Sequence, residues 1–145
     1  MNADLKNYST SKLTEKIIGV FFDLYNELGH GFLESVYQRA MEVALREAGL
    51  LIESQLAVPV YFRGMNIADF RCDLLVEHTL LIELKSVRTL ESSHEAQTVN
   101  YLHATTIEIG LLFNFGPKPQ FKRLAFHNSR KKICADQRES AAGAS

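Results

Sequence analysis

The chain has 145 residues, 46% hydrophobic and 23% charged, with a formal net charge of -1. Those values describe one globular domain with a real core and exclude a disordered, fibrous or polybasic chain. A near-neutral total gives no global attraction to a polyanion, so any such contact must come from a local patch. Cys72 and Cys134 stand far apart with no CxxC pair, which indicates neither a disulfide framework nor a zinc knuckle. "MNADLKNYST" has no apolar signal core and no run reaches membrane-span length, so a reducing cytoplasm is the expected compartment.

Leu13, Ile17, Val20, Phe21, Leu24 and Leu28 recur at helical spacing and predict an amphipathic helix from about residue 12 to 28. Gly29-His30-Gly31 breaks it. Leu33, Val36, Tyr37, Ala40, Val43 and Ala44 carry a second helix, with Gly49 placed to end it. "LAVPVYFRG" and "IADFRCDLLV" then read as strands around an Arg63-Gly64 turn, and Pro59 assigns the first to a sheet edge. "LLIELKSV" is a third strand, joined by a short turn around His78. Ser92-x-x-Glu95 has the form of a capping box and predicts the start of a helix. "IEIGLLFNF" is apolar almost throughout, as in a strand buried on both faces. Gly116-Pro117 turns the chain into a last strand, "FKRLAF".

The predicted order is ααβββαββ. A helical crossover between the third and fourth strands implies a parallel pair, while the first three strands form an antiparallel meander. The class is α/β, or α+β under a stricter convention, with a mixed sheet of about five strands. One domain is expected over residues 1–128, followed by a tail over 129–145 that ends in the small, polar "ADQRESAAGAS". Between Ile109 and Ala135 no acid occurs, whereas Lys118, Lys122, Arg123, Arg130, Lys131 and Lys132 do. This segment is either a phosphate track or a solvated strand edge with a basic tail.

The chemistry concentrates in "FRCDLLVEHTLLIELKS". With the turn centred on His78, Asp73 lies opposite Glu83 and Lys85 shares their face. Two carboxylates at that separation repel by about 3 kcal/mol at an effective dielectric near 20. A divalent cation resolves the conflict, because Mg²⁺ accepts one or two carboxylates and keeps several waters. Cross-strand pairing of the acids with Arg71 and Lys85 would resolve it equally well.

Asp73 followed by Glu83-Leu84-Lys85 on adjacent strands resembles the core signature of the PD-(D/E)XK nuclease superfamily, as does the predicted αβββαβ core. Gln97-x-x-x-Tyr101 resembles the QxxxY element of its RecB-like members. Gly31-Phe32-Leu33-Glu34-Ser35-Val36-Tyr37 fits the pattern of the small, mostly bacterial GxxExxY proteins, and the likeness runs over roughly residues 13 to 126. It departs from the family signature at Cys72, where a proline is usual.

The resemblance implies a restriction-endonuclease-like fold and a nuclease that uses Mg²⁺ or Mn²⁺ to hydrolyse DNA or RNA. It assigns Asp73, Glu83 and the carbonyl of Leu84 to the metal, with Glu34 as a helix-borne acid that helps. Lys85 becomes the catalytic lysine, and Gln97 and Tyr101 line the site. Plainer roles compete: Glu34 as an acid favoured at a helix N-terminus, Gln97 as an exposed helix residue, and Tyr37 and Tyr101 as core aromatics with hydrogen-bonded hydroxyls. His94 falls in the first turn of its helix; His30, His78, His103 and His127 lack mutual ligand spacing. The alternative function is a catalytically silent nucleic-acid-binding or protein-interaction module on the same fold. A symmetric homodimer is a further expectation.

Overall fold

The apolar spacing of the first two helices brings them together on one side of a sheet. In a computed structural model, which describes residues 3–131 and side chains from residue 10 onward, helix α1 spans Ala3–Leu28 and buries Ile17, Phe21 and Leu24. Helix α2, Glu34–Glu47, answers with Tyr37, Met41 and Leu45. Helix α1 begins at Ala3, well before the expected start near residue 12, because a nucleated helix extends without needing a continued apolar stripe. Gly49, at φ 85, ends α2 in the left-handed region that glycine adopts freely.

Five strands follow: β1 (Ile52–Phe62), β2 (Met65–Val76), β3 (Leu80–Lys85), β4 (Ile109–Phe115) and β5 (Pro119–Ala125). They lie in the spatial order β1-β2-β3-β4-β5, all neighbours antiparallel except β3 and β4, which are parallel. The crossover between that pair carries α3 (Ser92–Ala104), and a short 3-10 turn, Asn128–Arg130, follows β5. Pro59 lies in β1, at the sheet edge, where the missing N–H does least harm. Among the described residues no helix is long and apolar enough to cross a membrane. Of the tail expected over 129–145, residues 132–145 lie outside the described residues.

Strand alternation divides the core. Leu80, Ile82 and Leu84 of β3, with Leu111, Phe113 and Phe115 of β4, pack with α1 and α2. Leu81 joins Leu102 of α3 in a second cluster, so Glu83 and Lys85, in step with Leu81, belong to the α3 side. The β1–β2 ribbon does something that alternation alone cannot produce. Ile52, Leu74 and Val76 belong to the first cluster, whereas Leu56, Val58, Phe70 and Cys72 belong to the second. Between the pairs Ser54↔Leu74 and Leu56↔Cys72, the ladder skips Gln55 and Asp73, and Gln55 has φ 51. The ribbon therefore rolls over at that step, and its outer part crosses towards α3.

The start of α3 corrects the expected cap. Leu90 N–H is tied to Gln120 Oε1 at 3.0 Å, and the helix begins directly after it, with Glu91 and not Ser92 as the N-cap. The Glu91 side chain accepts from the backbone of His94, and His94 Nδ1 accepts from Glu91 N–H at 3.0 Å. The reciprocal box is real but set one residue earlier.

The segment between β3 and α3 is clamped by the fully buried Asn114 of β4. Its amide accepts from Val87 N–H and donates to Val87 O, both at 2.9 Å, and also reaches Gln120 Oε1 at 3.1 Å. Gly116 lies so close beneath this segment that a Cβ would drive into Val87 O. Gly116→Ala should therefore lose about 2 kcal/mol or more of stability, read from the urea midpoint, because backbone and not a flexible side chain must give way.

Candidate active site at the β2–β3 fork

The hairpin between β2 and β3 closes on Glu77 and His78, both at positive φ (52 and 55), with Thr79 N–H donating to Val76 O at 2.9 Å. The paired residues Val76↔Leu80, Leu75↔Leu81 and Leu74↔Ile82 set the register, and one step further Asp73 faces Glu83. At that step side chains replace the backbone ladder. Asp73 N–H donates to Glu83 Oε1 at 3.3 Å, and Leu84 N–H donates to Asp73 Oδ2 at 2.8 Å. Each carboxylate thus satisfies a backbone N–H of the opposite strand, which would otherwise be left without a partner as the strands part.

This exchange places two acids where water is scarce. Glu83 is 5% exposed, and burial, reinforced by the charge of Asp73, pushes its pKa up to about 8. Burial also raises Asp73, against the pull of the Leu84 N–H and Lys85. At neutral pH the pair retains a proton, which relieves the repulsion between them. Arg71 takes no part in neutralising them, since its Nη1 donates to Gln55 O at 2.8 Å. Among the described residues no ion pair joins Arg71 or Lys85 to either acid. Lys85 is half-buried and acts on Asp73, Glu83 and Glu34 through space.

Glu34 arrives from the other side of the cleft. The loop before it is locked by Tyr37, whose ring stacks on Phe115 at 4.0 Å and whose hydroxyl donates to Gly29 O at 2.6 Å and accepts from Phe32 N–H at 3.3 Å. Ser86 Oγ, just after β3, donates to Phe32 O at 3.0 Å and ties the loop to the fork. Tyr37 is therefore a framework residue, buried and internally bonded. Glu34 is the first residue of α2. Although exposed as a residue, it has a carboxyl partly desolvated within the cleft, which raises its pKa against the opposing effects of Lys85 and the Ser86 N–H.

Helix α3 closes the remaining side. Tyr101 stacks on Phe70 at 3.9 Å, and its hydroxyl pKa is raised by desolvation and then by Glu83 and Asp73. Gln97 is exposed one turn earlier on the same helix face. Two residues here were not legible as participants. Gln55, left-handed and opposite Asp73, hydrogen-bonds the Asp73 side chain and also donates from Nε2 to Gln38 Oε1 at 2.7 Å. His94 of α3 lies within electrostatic reach of Glu34. Nothing in a glutamine within a strand announces the first; the glutamate three residues before His94 was the available signal for the second.

The basic segment does not form one track. Lys131 is 2% exposed, its Nζ donating to Thr105 O at 2.9 Å and Ile107 O at 2.6 Å beyond the end of α3. Alternation along β5 puts Lys122 on the side of Leu124 and Arg123 on the side of Phe121. Lys132 lies outside the described residues.

Among the described residues no group of three or more His, Cys, Asp or Glu side chains is arranged to hold a metal ion. The donor set still suits a hard divalent cation. Asp73 and Glu83 converge with the proton that a cation would replace, and Mg²⁺ fills its other positions with water or substrate oxygens. Leu84 has only its backbone at the fork, since its side chain is buried on the α1–α2 side.

The model of the PD-(D/E)XK nuclease superfamily matches residues 11–124 of this chain. The crystal structure of SSO0001 is similar, with a TM-score of 0.53 and 15% identity over 74% of this chain and 57% of that one. This chain therefore spans little more than half the length of that protein, and the likeness is one of fold. No curated protein matches the sequence. A mixed five-stranded sheet with its acids at the β2–β3 fork and the family match over most of the chain lead to one assignment: the chain belongs to the PD-(D/E)XK nuclease superfamily, with a restriction-endonuclease-like fold.

Proposed function

We propose that this chain is a divalent-cation-dependent nuclease of the GxxExxY type, hydrolysing phosphodiester bonds in DNA or RNA. The observation that carries the reading is the convergence of Asp73 and Glu83 at the fork with no basic side chain among the described residues paired to them. Structural acids at adjacent strand positions acquire a counter-ion; here the counter-ion is a retained proton, which a cation can displace. The GxxExxY segment supports the same reading, because it delivers Glu34 to the cleft through the Tyr37 and Ser86 contacts.

Mg²⁺ or Mn²⁺ bound there would supply positive charge beside the phosphate and lower the pKa of a coordinated water. Asp73 and Glu83 would hold the cation, with the Leu84 carbonyl as a third oxygen, and Glu34 would orient a water from the α2 side. Lys85 would stabilise the charge that builds on the phosphoryl oxygens. In hydrolysis the water oxygen bonds to phosphorus, the bond from phosphorus to the leaving oxygen breaks, and the proton lost by the water is balanced by one gained at the leaving oxygen. Tyr101 and Gln97 would border the substrate, the first made rigid by its stack on Phe70.

The silent-module alternative draws on Phe62, Met65 and Ile67, all exposed at the outer end of the β1–β2 ribbon. It predicts binding that survives without a cation and is indifferent to Lys85→Ala.

Asp73→Asn, Glu83→Gln and Lys85→Ala should each lower cleavage of a labelled oligonucleotide by about a hundred-fold or more while circular dichroism stays native. Purified wild-type protein that leaves single- and double-stranded DNA and RNA intact in Mg²⁺ and Mn²⁺ would remove the enzymatic reading. Cation binding should release protons near pH 7.5, and calorimetry in two buffers of different ionisation enthalpy measures this directly. Without a cation, Glu83 has a folded pKa above its unfolded one, so the folded state binds more protons between the two values. Stability should therefore fall as pH rises from about 4.5 to about 8, and Glu83→Gln should flatten that slope in urea titrations with EDTA.

A further inference from the structure

His94 solves its local structural problem in an unusual way. The third helical position of a capping box is commonly Glu or Gln, whose oxygen accepts the N-cap N–H. Here imidazole Nδ1 does so, accepting from Glu91 N–H at 3.0 Å. Once Nδ1 is committed as an acceptor, the proton of the neutral ring resides on Nε2. A glutamate would cap equally well and offer no donor; histidine caps with one edge and presents an N–H on the other.

The position of His94 on α3 relates that edge to the fork. His94 and Tyr101 are seven residues apart on α3, about two turns, and so share a face, with Tyr101 stacked on Phe70 beside the acids. His94 also lies within electrostatic reach of Glu34, on the opposite wall. Its backbone is secured from below, since Thr98 Oγ1 donates to His94 O at 3.2 Å while Thr98 is itself buried. The ring thus has one hydrogen bond that sets its orientation, a helical turn secured beneath it and a remaining donor on Nε2.

We propose that His94 is a substrate-positioning residue whose Nε2–H donates to a non-bridging oxygen of the bound phosphodiester. The inference rests on the nuclease reading and adds a named contact to it. The donor would sit across the cleft from Lys85 and hold the phosphate in register with the carboxylate pair.

The test separates cap from donor with three variants. His94→Glu keeps the cap and removes the donor; His94→Gln keeps an acceptor and an amide donor; His94→Ala removes both. Three quantities are measured: the urea midpoint, oligonucleotide affinity by fluorescence anisotropy in Ca²⁺, and cleavage in Mg²⁺. The expected pattern is stability lost in His94→Ala alone, with affinity and cleavage lowered about ten-fold in both His94→Ala and His94→Glu and largely rescued in His94→Gln. Loss in His94→Ala alone, or equal affinity in wild type and His94→Glu, would overturn the positioning role while leaving the nuclease reading intact. A wild-type protein that neither binds nor cleaves any oligonucleotide would overturn the nuclease reading, and the role of His94 with it.

Discussion

The site depends on an exchange between two carboxylates and two backbone N–H groups. Where β2 and β3 part, Asp73 N–H is satisfied by Glu83 and Leu84 N–H by Asp73. Removing either acid would expose a backbone donor as well as a charge. The same residues therefore end a sheet ladder and present a pair of oxygen donors, and the strain of holding them together appears as a proton retained near neutrality.

Everything around the fork holds its two sides in place. The stack of Tyr37 on Phe115 fixes the turn that delivers Glu34, and Asn114 fixes the segment leaving Lys85. The roll of the β1–β2 ribbon at Gln55 and Asp73 carries Phe70 over to α3, where Tyr101 meets it. Without that roll, Phe70 and Asp73 would continue the alternation of the inner strand, and α3 would have no aromatic partner on β2.

The opposition of Asp73 and Glu83 was legible because a tight hairpin leaves little freedom in register once its centre is known. The edge position of Pro59 and the parallel β3–β4 pair followed from equally local rules, a missing N–H and a helical crossover. The Ser92 cap was misplaced because Ser92 and Glu95 fit the motif by type, while the tie between Leu90 and Gln120 decides where the helix begins. Lys131 was grouped with the other basic residues of the C-terminal segment, as phosphate track or solvated edge, because composition cannot reveal that two carbonyls beyond α3 accept from its ammonium.

The sequence by itself determined the order of elements and the hairpin register that sets Asp73 opposite Glu83, since each follows from periodicity, turn chemistry or a short motif. Tertiary structure alone decided whether those charges would be neutralised by arginine or left to share a proton, because Arg71 is diverted to the Gln55 carbonyl by a turn in the ribbon. It also decided the roles of Gln55 and His94, whose contacts to Asp73 and Glu91 depend on a left-handed backbone and a shifted cap. Local patterns are short-range and additive along the chain; the desolvation that raises the pKa of Asp73 and Glu83 comes from distant segments packing together.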